Sequence, residues 1–198
     1  MSKTYSGFTS KTSERLLLDA GAFFKNFNAD TDTFETAVTA GKLIGATRGG
    51  GEFKAAPTIR RIEVDGVKGA AKGLEAIDEW VVTLMANVLE LSTQAIKLAL
   101  VSADVDTTTN EDYDVITARN YIALADYLDN VTWVGKLSGS GKPVIIQVLN
   151  AINTNGLTAT MQDKNEGVVQ MIFTGHYDQE GLDSPPFKIL YPKMEGQP

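Results

Sequence analysis

Residues 79–100 read EWVVTLMANVLELSTQAIKLAL, and this stretch decides the fold of the chain. Its even positions from 80 to 88 are all apolar, whereas its odd positions include Thr83 and Asn87. A two-residue period with one wholly apolar face predicts a β-strand pressed on a core. The helix that follows is capped by Ser92 or Thr93. Its apolar stripe consists of Ala95, Ile96, Ala99 and Leu100. A core strand that leads into a packed helix predicts a sheet flanked by a single helix.

The composition bounds the class of protein. The chain has 198 residues, no cysteine and a formal net charge of −7. This length can bury a core without disulfides, and the lack of cysteine excludes thiolate metal sites and a cysteine nucleophile. An acidic surface repels nucleic acid and anionic membranes. The first residues are polar and no apolar run is long enough to span a bilayer, so we expect a soluble protein made in a cytoplasm, without a membrane partner.

Two polar segments near the N-terminus are predicted to lie outside the core. Residues 1–13 are rich in Ser, Thr, Lys and Gly and predict a flexible arm, whose large apolar side chains are Tyr5 and Phe8. These two side chains either make no contact or anchor the arm on another surface. Residues 28–40 predict a long acidic loop that carries Phe34 and Val38. A structureless connection of this length indicates function or docking.

The rest of the chain, residues 14–198, is predicted to form one mainly β domain. Apolar runs predict buried strands at 16–27 and 144–151, and a short strand at 43–47 that ends in a flexible turn at 48–51. Alternation predicts a strand at 58–64 and a hairpin between 157–162 and 169–174, and a short final strand is predicted at 187–191. Residues 104–114 predict an exposed acidic loop. Residues 116–134 are ambiguous, because a helical stripe is followed by the strand-like VTWVG.

Several of these strands are predicted to have a polar face. The polar sets are Glu63 with Asp65, Thr158 with Thr160 and Gln162, and Gln170 with Thr174. The opposite faces carry the apolar residues that build the core. The polar side chains must therefore point away from the core, towards solvent or a partner.

Motifs for catalysis or cofactor binding fail on the residues that they need. LSGSGKP at 137–143 lacks the first glycine of a phosphate-binding loop and has proline where Ser or Thr would hold magnesium. The glycines at 49–51 lack the third glycine of a dinucleotide fingerprint. The acidic run from residue 104 lacks the Gly and Glu of a calcium-binding EF-hand. His176, the single histidine, has Asp178 nearby but no G-x-S-x-G serine, which predicts a surface or sheet-edge residue rather than a general base. We therefore expect no enzyme, cofactor or metal.

The order and character of the segments resemble the major tail protein, or tail tube protein, of long-tailed bacteriophages. The matching pieces are LLLDAGAFFKNF (16–27), LIGATRGGGEFKAAPTIRRIEVDGV (43–67), GLEAIDEWVVTLMANVLELS (73–92), DYLDNVTWVGKLSGSGKPVIIQVLNAINTNGL (126–157) and the closing segment through FTGHYD (173–178). The likeness covers roughly residues 14–192, nearly the whole chain, and no single short motif defines it.

This resemblance implies a β-sandwich with one flanking helix, a long N-terminal arm and an extended loop. Six copies would close a ring, and rings would stack into a tube that conducts DNA into a host. Tyr5, Phe8, Phe34 and Val38 are the candidate contacts between rings. Glu63, Asp65, Thr158, Thr160, Gln162, Gln170 and Thr174 are the candidates for the channel lining, although the sequence does not distinguish inside from outside.

The resemblance also implies partners and a location. The partners would be further copies of the chain, the tape measure, tail terminator and distal tail proteins, and DNA that passes without specific binding. The location would be the virion, after assembly in the bacterial cytoplasm. Two alternatives stay open: a β-sandwich module that binds carbohydrate or protein, and the tube subunit of a phage-tail-like bacteriocin.

Overall fold

The computed structural model describes residues 6–161, 163–164 and 166–193, and these residues form mainly antiparallel β-structure. The strands are β1 (Ala22–Lys25), β2 (Thr47–Arg61), β3 (Glu75–Val88), β4 (Ala103–Asp106), β5 (Val115–Ala118), β6 (Leu128–Gly135), β7 (Val144–Asn153), β8 (Val169–Thr174) and β9 (Phe187–Leu190). The helices are α1 (Phe34–Thr39) and α2 (Thr93–Ala99), with single 3-10 turns at Thr12–Glu14 and Leu124–Asp126.

Seven strands form one hydrogen-bonded sheet. Six of them follow the order β1-β6-β7-β8-β3-β2, and the seventh, β9, pairs with β7. β7 connects two groups of strands: β1, β6 and β9 belong to the first group, and β2, β3 and β8 to the second. Its first part pairs with β9 from Ile145 to Val148, and its end pairs with β8 through Ile152 and Asn153. Between these two parts Asn150 has a φ of 46°, in the left-handed region. The strand thus changes partners along one edge close to a local distortion of its backbone.

The main core cluster contains residues of most of the strands in the large sheet. The even positions of β3 are buried, with exposures of 0–1% for Val82, Leu84, Ala86 and Val88. One cluster joins them to Met171 and Phe173 of β8, Phe23 of β1, Val131 of β6 and Val148 of β7. The alternation predicted for β3 is therefore confirmed from position 80 to position 88, and the strand begins earlier than predicted, at Glu75.

Helix α2 begins where the sequence places a cap. The Ser92 side chain accepts a hydrogen bond from the Ala95 N–H at 3.1 Å, so Ser92 rather than Thr93 is the capping residue. Ala95 and Ala99 are buried in the main cluster. The predicted strands at 144–151 and 187–191 are also present, as β7 and β9, and no residue of β7 is fully exposed to solvent.

The N-terminal part of the chain differs from the prediction in two ways. The strand predicted at 16–27 is restricted to β1, and the leucines at 16–18 are 46–58% exposed. The backbone at residues 14–18 instead bonds to residues 136–139. The loop predicted at 28–40 contains helix α1, so the described residues hold two α-helices rather than one. Thr33 and Thr36 form a reciprocal cap at its start, a local signal that the sequence carries.

Two further predictions are wrong. Residues 48–51 do not form a flexible turn, because they are part of the 15-residue strand β2. The predicted hairpin between 157–162 and 169–174 does not form. Residues 157–161 are irregular, and the strand that contains residues 169–174, β8, pairs with β3 and β7 instead. Pairing with β3 places every buried residue of β8 in the main core, which a local hairpin would not do.

The acidic segment after α2 is a small hairpin rather than a plain loop. β4 pairs with β5 as a separate two-stranded sheet, and the exposed acids lie mainly in the connection between them. Arg119 holds this hairpin to the body: its guanidinium pairs with Asp126 at 2.5 Å and with Asp104 at 3.2 Å. The helical stripe within the ambiguous residues 116–134 forms only the 3-10 turn Leu124–Asp126. Tyr121 and Leu124, two residues of that stripe, are exposed.

We predict that Leu84→Ala lowers the free energy of unfolding by about 2–5 kcal/mol, because it removes buried methyl groups and leaves a cavity. Leu84 is 1% exposed. Val81 lies on the same strand with its side chain 44% exposed, and Val81→Ala is the matched control, with an expected loss of about 1 kcal/mol or less. Chemical denaturation measures both. Equal losses would contradict the assignment of the two faces.

Candidate interaction surfaces

The longest exposed feature is the end of the β2–β3 hairpin. β8 pairs with β3 only from Thr83 to Val88, whereas β2 and β3 stay paired as far as Arg61 and Glu75. The two strands therefore extend beyond the sheet as a two-stranded ribbon. We define the ribbon as residues 59–77, which includes the connecting turn. All of these residues except three are exposed to solvent.

The ribbon carries apolar side chains that no other part of the described structure covers. Ile59 and Ile77 lie directly opposite each other and are 59% and 54% exposed. Ile62, Val64 and Val67 in the connection are also largely exposed. The nearby ion pair between Arg60 and Asp78, at 3.1 Å, lies on the surface and adds little to stability. A group of exposed branched side chains on a projecting hairpin indicates an interaction surface.

Helix α1 carries the two residues predicted as contacts in the 28–40 segment. Phe34 is 50% exposed and Val38 is 39% exposed. The Phe34 ring also packs edge-on against the buried Phe24 ring, with centroids 5.6 Å apart. Phe34 thus anchors α1 on the rest of the protein, while about half of its surface stays exposed.

An ion pair supports the start of α1. Lys42 Nζ lies 2.6 Å from the Asp32 carboxylate, which also accepts a hydrogen bond from the Asn28 N–H. The bond from Lys42, followed by that from Asn28, holds the pKa of Asp32 below its usual value of 3.8. Residues 28–40 are therefore a folded segment of the subunit, and the prediction of an unstructured loop is wrong.

The described part of the predicted arm has one exposed aromatic residue. Phe8 is 74% exposed, and the three leucines at 16–18 extend the apolar surface towards the body. Tyr5 lies outside the described residues. Phe8 stays a candidate contact.

The structure places the predicted polar sets in different environments. Glu63 and Asp65 lie in the exposed turn at the end of the ribbon and not on a strand face. Thr158 and Thr160 are exposed in the irregular segment, so the argument from strand alternation does not apply to them, and Gln162 lies outside the described residues. Gln170 and Thr174 are on β8, on the face opposite Met171 and Phe173, as predicted. The structure does not gather all of these residues on one surface.

Gln170 and Thr174 belong to a wider polar face of the β2-β3-β8 strands. The register places Thr83 beside Thr174 and Asn87 beside Gln170. The Thr174 hydroxyl lies 2.8 Å from that of Thr154, and Gln170 Nε2 donates to Asn87 Oδ1 at 3.4 Å. We define the outer polar face by Glu52, Lys54, Thr83, Asn87, Gln170 and Thr174. Met85 and Ile172, which lie opposite each other on the same face, interrupt it with apolar side chains. Glu52 and Lys54 were missed as members, although they alternate with Phe53 and Ala55 in the sequence.

The candidate metal ligands and the single histidine have the following surroundings. The described residues contain no group of three or more His, Asp and Glu side chains placed to hold a metal ion. His176 Nδ1 lies 3.1 Å from the Asn150 carbonyl oxygen, to which it donates, and its ring packs edge-on against Tyr127. His176 is half-buried and contacts the backbone of β7. The prediction that it is a surface or sheet-edge residue is therefore only partly correct.

Comparisons with known proteins leave the family open. No protein-family model matches the chain, and no curated protein has a similar sequence. Within the described residues, neither α-helix has the length and apolar character that crossing a membrane requires.

We predict that acid loosens helix α1. Because its folded pKa is lowered, the Asp32 carboxylate stabilises the folded segment fully above its ordinary pKa of 3.8, and this contribution is lost as the pH falls through the lowered value. NMR shifts of the α1 amides should therefore titrate together with the Asp32 carboxyl. Asp32→Asn is the control, and it should remove this step. A step that persists in the variant would mean that another acid controls α1.

Proposed function

We propose that this chain is a structural subunit of the tail tube of a long-tailed bacteriophage, in which rings of six copies stack into a conduit for DNA. The resemblance of its segment order suggested this function. The observation that supports it most is the ribbon, whose Ile59 and Ile77 are 59% and 54% exposed among the described residues. A surface of that kind is accounted for by a partner.

The fold proposed for the subunit is a β-sandwich. One layer would consist of β1, β6, β9 and most of β7, and the other of β2, β3 and β8, with the end of β7 joining them. Support comes from the larger of the two buried clusters, which includes Phe23 and Val131 of the first group and Leu84 and Met171 of the second. Antiparallel strands packed face to face with one shared core are typical of sandwiches.

Ring closure would use the open edges of strands. Within the described residues, β2 is paired along one edge only, with β3. Register shifts between Thr47 and Gly51 and between Thr58 and Ile59 leave residues 51–58 as its regular part. Pro57 has no N–H to donate, so six residues, 51–56, remain ahead of it as a continuous edge. A six-residue open edge invites pairing with another chain, and a closed ring satisfies it by symmetry.

Ring stacking would use the ribbon together with helix α1 and the arm. Ile59, Ile77, Phe8, Phe34 and Val38 would supply its apolar contacts, and Tyr5 stays a further candidate. The ribbon projects from the sheet, so it can reach a subunit of the next ring. Apolar anchors surrounded by polar residues are the usual form of a contact that orders on assembly.

The channel would be lined by the outer polar face. A conduit for DNA needs a surface without concentrated cations, because phosphate binding depends on Lys and Arg. The outer polar face has one lysine and one glutamate, and the whole chain has a net charge of −7. DNA would pass without specific binding. The tape measure, tail terminator and distal tail proteins would be the other partners, and the virion would be the location.

Negative-stain electron microscopy of the purified protein at high concentration tests this function. Rings or tubes would support it. A protein that stays monomeric at every concentration would favour a β-sandwich binding module instead.

We predict that Ile59→Glu combined with Ile77→Lys blocks tube formation while the subunit stays folded. The two residues face each other across the ribbon, so the new charges form a cross-strand pair that preserves the hairpin. They remove the apolar surface that a neighbouring subunit would cover. Sedimentation velocity measures assembly, and denaturation measures the fold. The control, Ile59→Val with Ile77→Val, should assemble normally. Tubes from the charged variant would exclude the ribbon as a contact.

We predict that Gln170→Lys combined with Thr174→Lys makes assembled tubes retain short duplex DNA at low salt. Two cations per subunit would then face the channel, and added salt should release the DNA because screening weakens phosphate contacts. The control is Thr158→Lys with Thr160→Lys, in the irregular exposed segment. Retention by the control alone would place the channel on the other side of the subunit.

A further inference from the structure

A cavity of about 450 Å³ lies beside helix α2, away from the ribbon and the outer polar face. Side chains from α2, the end of β1, the end of β7 and the Leu124–Asp126 turn line it. Pockets of roughly 300–1,000 Å³ are the usual size of small-molecule sites. None of the surfaces assigned above uses this cavity.

Two lysines line the cavity from different elements. Lys25 ends β1 and Lys97 lies on α2, and within the described residues neither forms an ion pair. Burial, and next the positive charge of Lys97, lower the pKa of Lys25. Asp126 is the acid that lines the cavity, and it is already paired with Arg119. The cavity lining therefore has two lysines without an ion-pair partner among the described residues, a half-buried Lys25 and an exposed Lys97, whose charges repel each other.

The backbone around the cavity is held in a costly conformation. Four described non-glycine residues have φ in the left-handed region, and two of them, Asn26 at 49° and Val101 at 69°, line this cavity. A β-branched residue in this region is a true outlier. Such strain persists only where the surrounding structure enforces it, and it is concentrated at binding sites.

The inner wall of the cavity is apolar. Leu98, Leu128, Ile152 and Phe173 line it, and Ile152 and Phe173 are buried in the body of the protein. A ligand with an anionic end and an apolar end would match both parts of the lining. Two lysines require two negative charges, which one phosphate monoester supplies near neutral pH because its second pKa is about 6. Lysine binds phosphate as a compact point charge.

We propose that this cavity binds a small organic phosphate, with the phosphoryl group between Lys25 and Lys97 and the apolar body against Leu98 and Leu128. The two lysines donate hydrogen bonds to the phosphoryl oxygens and lose their mutual repulsion. The apolar body of the ligand is transferred from water to the apolar wall of the cavity. This site is independent of the tube function, because it contains no residue of the ribbon or the outer polar face.

NMR titration of the full-length protein with phenyl phosphate tests the site. Amide shifts should saturate and should be confined to residues around the cavity. Phenol lacks the charge, inorganic phosphate lacks the apolar body, and benzoate carries one charge, so each should bind more weakly. Equal binding of benzoate would replace the phosphate by a general carboxylate or anion site. Shifts spread over all lysines, or no saturation, would overturn the proposal.

Variants identify the groups that bind. Lys25→Gln and Lys97→Gln should each weaken phenyl phosphate binding by about tenfold or more, since each removes a charged hydrogen bond. Lys68→Gln, in the exposed turn of the ribbon, is the matched control and should change nothing. Circular dichroism verifies that each variant is folded. Unchanged affinity in both cavity variants would refute the assignment.

The protonation of Lys25 gives a second readout, which loss of folding does not imitate. Lys97 and Asp126 are the titratable groups that line the cavity with it. A bound dianion favours the charged ammonium, so the pKa of Lys25 should rise towards its ordinary value when phenyl phosphate is added. The Lys97→Gln change should raise it as well, without ligand. A pKa of Lys25 that ignores phenyl phosphate would place the ligand elsewhere.

Discussion

The burial of one face of β3 is the constraint on which the rest of the structure depends. Val82, Leu84, Ala86 and Val88 exclude water from the centre of the molecule, and strands β2 and β8 are placed by pairing with β3 on its two sides. Since side chains alternate along a strand, this face also fixes the opposite one. The outer polar face is thus a direct consequence of how the core is packed. A shift of register by one residue would exchange the two faces and destroy both.

Glycine at position 51 allows β2 to pass close to this core. A Cβ there would overlap the Met85 carbonyl oxygen and the Phe23 ring. Only a residue without a side chain permits the three segments to meet at position 51, whereas Gly49 and Gly50 have left-handed φ values of 79° and 67°. Each glycine of the run thus has a fixed backbone role. This explains why the interpretation of the run as a flexible turn was wrong. The composition of a glycine run is the same whether the backbone is free or closely packed, and only the neighbours, which are distant in sequence, distinguish the two cases.

Local signals predicted part of the fold. The alternation of β3, the Ser92 cap and the continuous apolar run of β7 each depend on neighbouring residues, and all three predictions are confirmed. Long-range pairing was the main source of error. β8 follows residues 157–162 closely, yet it pairs with β3, more than 80 residues earlier. On the candidate surfaces, Gln170 and Thr174 were correctly placed on a polar strand face, whereas the ribbon depends on where β8 stops pairing with β3, which the sequence does not encode locally.

The exposed isoleucines of the ribbon and the lysine pair of the cavity share a physical property. Neither stabilises the isolated chain, because exposed apolar area gains nothing from burial and the charges of the two lysines repel each other. The strained backbone at Val101 adds a further cost. The core around Leu84 is extensive enough to tolerate these features, but it gives no reason for them. Each becomes favourable when something covers it: an apolar surface in the case of the ribbon, and an anion in the case of the cavity. The difference in chemistry between the two surfaces is why they indicate two different partners.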